Sequence, residues 1–315
     1  MARSQPARKR RPVHGVLLLD KPAGLSSNQA LQKVRWLLRA EKAGHTGTLD
    51  PLATGVLPIC LGAATKFSQL HLDADKRYEA VLALGVRTSS GDAEGEPIQR
   101  LPVPELTAPL LASLREQFLG DLLQTPPMHS ALKKDGRPLY EYARAGIHVT
   151  REPRAIRIVD LQLERVDSDP DAIRVAVTCS KGTYIRTLGE DLAAALGTCG
   201  HLASLRRIAS GSLHVSDSVP LDALEAMAEA ARLQHVRPVH TLLAGYETVV
   251  LDNAEAGRFL TGLRRRGSWP DQDRVAVWGD SPRALLGVAR TRGGELIPVR
   301  LLSPLEIRQS LEEAP

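Results

Sequence analysis

Strand-like and helix-like stretches follow one another in this chain without regular alternation, and that order restricts the fold more than any single residue does. A doubly wound sheet needs a helix after each strand, so an irregular order points instead to an α+β architecture with a mixed sheet. VHGVLLL (13–19) is a continuous apolar run and reads as a buried strand. It ends in the turn DKPAGLSS (20–27). The helix NQALQKVRWLLRA (28–40) follows, with Leu31, Val34 and Leu38 on one face and Ser27 or Asn28 as its cap. YEAVLALG (78–85), IRIVDLQLERV (156–166) and AIRVAVTC (172–179) read as strands. The last of them places Ile173, Val175, Val177 and Cys179 on one face. Residues 108–119 and 221–234 read as helices, as does a segment carrying Ile185, Leu188, Leu192 and Leu196 that Gly197 stops. Beyond Pro238 the composition turns to short strands and turns (ETVVLD, RVAVWGD, ALLGVAR, IPVRLL), which sets a domain boundary near 240–247. A chain ended near residue 244 is therefore expected to keep its chemistry. Aromatic residues are only 3% of the chain, so the core has to rest on Leu, Val, Ile and Ala.

Lys and Arg number 41 against 36 Asp and Glu, a net charge of +5. That mildly basic balance suits a polyanionic partner, and it suits an ordinary basic cytosolic enzyme as well. The three cysteines, Cys60, Cys179 and Cys199, are not spaced as a zinc knuckle or a redox pair, and read as buried thiols in a reducing compartment. Residues 1–12 carry Arg3, Arg8, Lys9, Arg10 and Arg11 with no acid, and no apolar segment of a secretory signal follows. No apolar run approaches the length of a membrane span. A cytoplasmic protein with a basic disordered tail at 1–12 is expected.

The segment Gly44-His45-Thr46-Gly47-Thr48-Leu49-Asp50-Pro51-Leu52-Ala53-Thr54-Gly55 stands apart. Its three glycines imply tight turns or a close approach to a ligand. An Asp-Pro pair alone is a common turn starter. Here it lies among hydroxyls, a histidine and glycines directly after an amphipathic helix, a loop composition that favours binding.

GHTGTLDPLATG (44–55) closely resembles the signature of the TruB family of bacterial tRNA pseudouridine-55 synthases. GVLLLDKPAGLSS (15–27), KRYEAVLALG (76–85), SALKKDGRPLYEYAR (130–144), CSKGTYIRTLGEDL (179–192) and LRRIASG (205–211) resemble further motifs of that family, in the family's order. The resemblance is dense over residues 13–212. It implies a mixed-sheet catalytic domain over 13–240 and a small β-rich domain over 245–315 similar to the family's PUA domain.

The reaction so implied breaks the N1–C1′ glycosidic bond of a uridine, turns the uracil and joins C5 to C1′. No atom is lost and no redox change occurs, so no cofactor and no metal are required. An ionised carboxylate is required, as nucleophile or as stabiliser of a sugar cation, and by resemblance it is Asp50, the nucleophile. Arg186 matches the family's arginine that pairs with that aspartate and opposes its protonation in a dry pocket. Tyr78 and Tyr184 match the tyrosines lining the base pocket, where a flipped base needs a flat apolar partner. By the same resemblance His45 props the RNA loop open, Leu205 contacts the base, and Lys21 and Asp92 support the pocket.

Residues 128–151 mix Lys133, Lys134, Arg137, Arg144 and Arg151 with Tyr140 and Tyr142, a pattern suited to looped RNA. The resemblance makes this stretch an insertion that clasps the T-arm stem-loop of tRNA. Arg264-Arg265-Arg266 reads as a further phosphate contact. A monomer with no obligate protein partner is expected. Three other readings stay open: a guide-RNA-dependent synthase, a non-catalytic RNA-binding or tRNA-folding protein, and a metal-dependent phosphohydrolase built on Asp20, Asp50 and Asp92.

Overall fold

The computed structural model describes residues 10–312. Most of the basic stretch at 1–12 lies outside them. Arg11 does not behave as a disordered tail: its backbone pairs with that of residues 39 and 41, and its guanidinium lies 3.1 Å from Glu229.

The first unit comprises β1 (Gly15–Lys21), α1 (Ser27–Leu37), β2 (Thr54–Leu61), β3 (Lys76–Leu84), α2 (Ala108–Phe118), β4 (Gly120–Gln124), β5 (Arg154–Val166), β6 (Asp169–Cys179), α3 (Ile185–Ala195) and β7 (Gly200–Ser210). Its strands form one sheet in the order β1-β2-β7-β3-β6-β5-β4. β2 and β7 run parallel, with Arg206 beside Thr54 and Arg207 beside Gly55. The other pairs along that path are antiparallel. The sheet is therefore mixed, as an α+β fold requires. β1 and β2 are buried at nearly every position because both of their faces are covered. Leu17, Leu19, Leu57 and Ile59 face α1, α2 and α3 in one cluster, while Val16, Leu18, Val56 and Cys60 face the other way.

Two local expectations are corrected. Ser26, not Ser27 or Asn28, caps α1, because Gln29 closes a reciprocal capping box: its amide donates to Ser26 Oγ at 3.2 Å, and its side chain accepts from the Ser26 amide at 2.8 Å. Residues 221–234 form two short helices, Leu221–Ala226 and Glu229–Leu233, instead of one. Arg232 folds back and donates to the carbonyls of Leu224 and Glu225, satisfying the end of the first helix.

The second sheet contains β8 (Glu247–Leu251), β9 (Gln272–Gly279), β10 (Ala284–Arg292) and β11 (Glu295–Leu301), in that spatial order, with helices α4 (Asn253–Leu260) and α5 (Pro304–Glu312). It is not a loosely tethered appendage. Ala276, Leu285, Val288 and Leu302 join Val16, Leu18, Val56 and Phe67 in a single buried cluster. Lys66 pairs with Glu306 at 2.6 Å and Arg274 with Asp73 at 2.7 Å across the same junction.

A chain ended at residue 244 would leave that cluster uncovered, and it is expected to melt well below the full chain. The full chain is expected to unfold in one cooperative transition. Phe67→Ala, at a fully buried position, is expected to cost about 3–5 kcal/mol. Urea titrations followed by tryptophan fluorescence check both points, because Trp36 reports on the first unit and Trp269 and Trp278 on the second.

Candidate active site

Asp50 sits in a loop whose backbone is clamped on both sides. Ser27 is buried, and its Oγ accepts from the Leu49 amide at 2.7 Å and donates to the Leu49 carbonyl at 3.0 Å. After Asp50, the Pro51 carbonyl accepts from the Gly24 amide at 2.9 Å and from Lys21 Nζ at 3.3 Å. The Ala53 amide closes the turn on the Asp50 carbonyl at 3.1 Å. Lys21 is fully buried and spends its ammonium on the carbonyls of Pro22, Leu25 and Pro51. Burial pulls its pKa down to about 8. Lys21 thus binds two loops together. Where the chain leaves the turn, Gly55 has φ +103°, and a Cβ there would lie 2.2 Å from the Arg207 carbonyl. The parallel contact between β2 and β7 needs glycine at that point.

Arg186, in the first turn of α3, has a side chain only 6% exposed. Its Nε donates to Asp50 Oδ2 at 2.9 Å and lies 3.7 Å from Asp92 Oδ2. Its two terminal nitrogens donate to the carbonyls of Ser90 at 2.9 Å and His129 at 2.7 Å. Asp92 is itself buried and accepts from Ser90 Oγ and the Glu94 amide. The Asp50 side chain is 37% exposed, and among the described residues the hydrogen bond to its carboxylate is the one that Oδ2 accepts from Arg186. One carboxylate oxygen is therefore fixed by a buried cation, and the other is open to the cavity beside it.

That cavity measures about 340 Å³ and is lined by Asp50, Tyr78, Tyr184, Arg186 and Leu205 among others. Strand register brings these together: Tyr78 in β3 stands opposite Arg207, and Ala80 opposite Leu205 in β7. Tyr78 is buried, and burial raises its phenol pKa despite the opposing pull of Arg207. Tyr184 ends the strand–helix connection, with its amide and carbonyl both held by Gln124 at 2.8 and 3.2 Å. His45 lies outside this lining, at the end of the short strand Ala43–His45. Its ring pKa is lowered by burial and then by Arg207, and among the described residues its buried Nδ1 has no hydrogen-bond partner.

Three lining or supporting residues were not singled out by the sequence. Gln124 orients Tyr184, but a lone Gln closing a short strand carries no signal. Arg207 is 1% exposed and Lys76 is 7% exposed; both line the cavity. A signal existed for these two, because alternation in β7 and β3 puts each on the buried face, where a cation is costly. Asp20 stands apart from Asp50 and Asp92, giving both oxygens to Arg206. Among the described residues no group of three or more acidic, histidine or cysteine side chains could hold a metal.

A family model described as the N-terminal domain of TruB family pseudouridylate synthases matches residues 35–185. One described as the C-terminal domain of tRNA pseudouridylate synthase B matches 186–250. A protein from Verminephrobacter eiseniae named tRNA pseudouridine synthase B is 60% identical over 311 residues, covering 98% of this chain and 94% of its own length. The chain belongs to the TruB family. It is a pseudouridine synthase, an isomerase. A Ralstonia pickettii protein of the same name is 53% identical over 304 residues, covering 93% of this chain and 95% of its own. Among solved structures, an archaeal box H/ACA Nop10–Cbf5 complex matches with a TM-score of 0.69 at 20% identity, covering 97% of this chain and 95% of that one. That likeness concerns the fold. In this TruB-family enzyme, no described helix is long and apolar enough to cross a membrane.

Ser27→Ala removes both hydrogen bonds that hold Leu49 and leaves a buried amide and carbonyl unpaired. It is expected to cost about 1–3 kcal/mol of stability. Because Asp50 is the next residue, turnover at saturating RNA is expected to fall while RNA affinity stays near that of the parent. Denaturant titration and single-turnover kinetics separate the two effects.

Proposed function

We propose that this enzyme isomerises uridine-55 in the T-loop of tRNA to pseudouridine, with Asp50 as the nucleophile. The observation that carries the reading is the Asp50 carboxylate, held through Oδ2 by buried Arg186 and open at Oδ1 to a base-sized cavity floored by Tyr78 and Leu205. A carboxylate so placed attacks the sugar of a flipped uridine while the ring stacks on Tyr78. The freed uracil turns within the cavity, and C5 bonds to C1′. Tyr184 closes the pocket opposite, and Asp92 holds Arg186 in place. His45, on the outer side of the same loop, props the nucleotides from which the uridine is drawn.

The insertion over 128–151 clasps the T-arm. It begins at the cavity wall, where His129, Ser130, Ala131 and Leu132 line the space. Its own cations stack on its own rings, Arg137 over Tyr142 at 4.9 Å and Arg144 over Tyr140 at 5.5 Å. This leaves a basic surface for phosphates, with Arg137 also paired to Glu141. The small domain over 245–315 contributes less through Arg264 and Arg265 than their sequence suggests, because these pair with Glu295 and Glu255. The relatives named tRNA pseudouridine synthase B at 53–60% identity support tRNA as the substrate, and the reading is completed as a cytoplasmic, stand-alone monomer. The guide-dependent reading rests on fold likeness at about 20% identity.

Purified protein with unmodified tRNA and nothing else added is expected to give pseudouridine at position 55, and an isolated T-arm hairpin is expected to suffice. Asp50→Asn keeps the shape of the loop and removes the nucleophile. It is expected to lower single-turnover conversion by on the order of 10⁴-fold or more, with hairpin affinity within about threefold because phosphates carry the binding. Conversion within about tenfold of the parent, roughly 1.4 kcal/mol in the barrier, would mean that Asp50 is not the nucleophile.

A further inference from the structure

The charges lining the cavity do not cancel. Asp50 is matched to Arg186, and Asp92 behind it, 3.7 Å from the same nitrogen, leaves one negative charge over on that side. Lys181 at the rim is matched to Asp73 at 2.6 Å. Lys76 and Arg207 remain, and among the described residues neither has a carboxylate within ion-pair distance. Lys76 Nζ donates to the carbonyls of Leu72 at 2.7 Å and Ala74 at 2.5 Å. Arg207 donates to the carbonyls of Val56 at 2.8 Å and Gly47 at 3.3 Å. Both converge under the catalytic loop. A Cβ placed on Gly47 would lie 3.4 Å from an Arg207 terminal nitrogen and 4.0 Å from Lys76 Cε. Carbonyls hold two buried cations here without neutralising them. A fold seeking only stability would have paired them with acids or replaced them with apolar side chains.

We infer that Lys76 and Arg207 are catalytic residues that take up the negative charge of the departing uracil ring. The inference rests on the reaction proposed above. When Asp50 bonds to C1′, the C1′–N1 bond breaks and its electron pair stays on the ring. The charge thus passes from the carboxylate to the uracil, where N1, O2 and O4 share it. C5 then attacks C1′, the Asp50 oxygen leaves as the carboxylate with its electron pair, C5 gives up its proton to water, and N1 takes a proton from water, so that the ring ends neutral. Between these steps the uracil is an anion that must turn without escaping. A fixed set of directional donors would lock it in its first orientation. Two cations on the cavity floor stabilise it in both orientations, in a site dry enough for charge to count heavily. Their burial argues against phosphate as the intended anion. The backbone of a clasped stem-loop stays at the cavity mouth, and only a flipped base reaches Arg207 at 1% exposure.

The test compares leaving groups. T-arm hairpins carrying uridine or 5-fluorouridine at the target are converted under single-turnover conditions, and disappearance of the intact target nucleoside is followed by digestion and chromatography. Fluorine makes the ring a better leaving group that needs less help. For Lys76→Met and Arg207→Met, conversion of uridine is expected to fall about 100-fold. Hairpin affinity should stay within about threefold of the parent. With 5-fluorouridine the deficit is expected to shrink to about tenfold or less. Lys76→Arg and Arg207→Lys are expected to recover most of the loss. An equal deficit on both bases, or affinity falling in step with rate, overturns the inference and makes the pair structural or phosphate-binding. If Arg207→Met does not fold, Lys76→Met against Lys76→Arg decides, and equal losses in those two overturn it. Failure of the underlying reaction would look different, because the parent enzyme itself would form no pseudouridine.

Discussion

Arg186 is the interaction on which the site's geometry depends. A guanidinium almost removed from water must spend its donors on acceptors, or its burial is prohibitively costly. Here the acceptors come from segments far apart in the chain: Asp50 from the loop before β2, Ser90 and Asp92 from the turn after β3, and His129 from the head of the basic insertion. The arginine itself is set by α3. The Asp50 loop has its own anchors in buried Leu49 and Ala53 and in the hydrogen bonds from Ser27 and Lys21, and the guanidinium ties the turn and the insertion to it. Satisfying one buried cation sets all three relative to one another, and the candidate nucleophile is among the groups so placed.

A second regularity concerns the other buried cations. Lys21, Lys76 and Arg207 are all held by backbone carbonyls and not by acids. Carbonyl dipoles can orient a cation while leaving its net charge in place, whereas a carboxylate would cancel it. The cost shows in Lys21 and Lys76, whose pKa values burial lowers to about 8. In Lys21 that cost fixes the chain on either side of the Asp-Pro turn. In Lys76 and Arg207 it leaves a positive floor under the cavity.

Much of this was legible in the sequence where periodicity or long motifs spoke. The alternation of Ile173, Val175, Val177 and Cys179 corresponds to four buried positions in β6, and the irregular order of elements corresponds to the mixed sheet. The motif positions 50, 78, 184, 186 and 205 do meet around one cavity. His45 does not line it, although it shares the loop, because chain proximity says nothing about which way a side chain faces. Ser26-Ser27-Asn28-Gln29 does carry the Ser-x-x-Gln spacing of a capping box, and that pair, not Ser27 or Asn28, caps α1. Gln124 carries no sequence signal; alternation shows Lys76 and Arg207 on buried faces, but only strand register, which a single sequence does not fix, brings them to one cavity. The union of the two sheets through one cluster was likewise invisible, since each contributing residue reads as ordinary core.

That shared cluster has a consequence for how the protein is made. The strand holding Val16 and Leu18 leaves the ribosome first, while its cover, Ala276 through Leu302, leaves almost last. At bacterial rates of synthesis the interval is on the order of tens of seconds, far longer than the microseconds a small chain needs to collapse. For that time one face of the central sheet has only part of its native cover, from Phe67, Leu213 and Val239–Leu243. A nascent-chain chaperone that shields apolar strands, or a slow-translating stretch placed late in the message, would act on this protein at that surface.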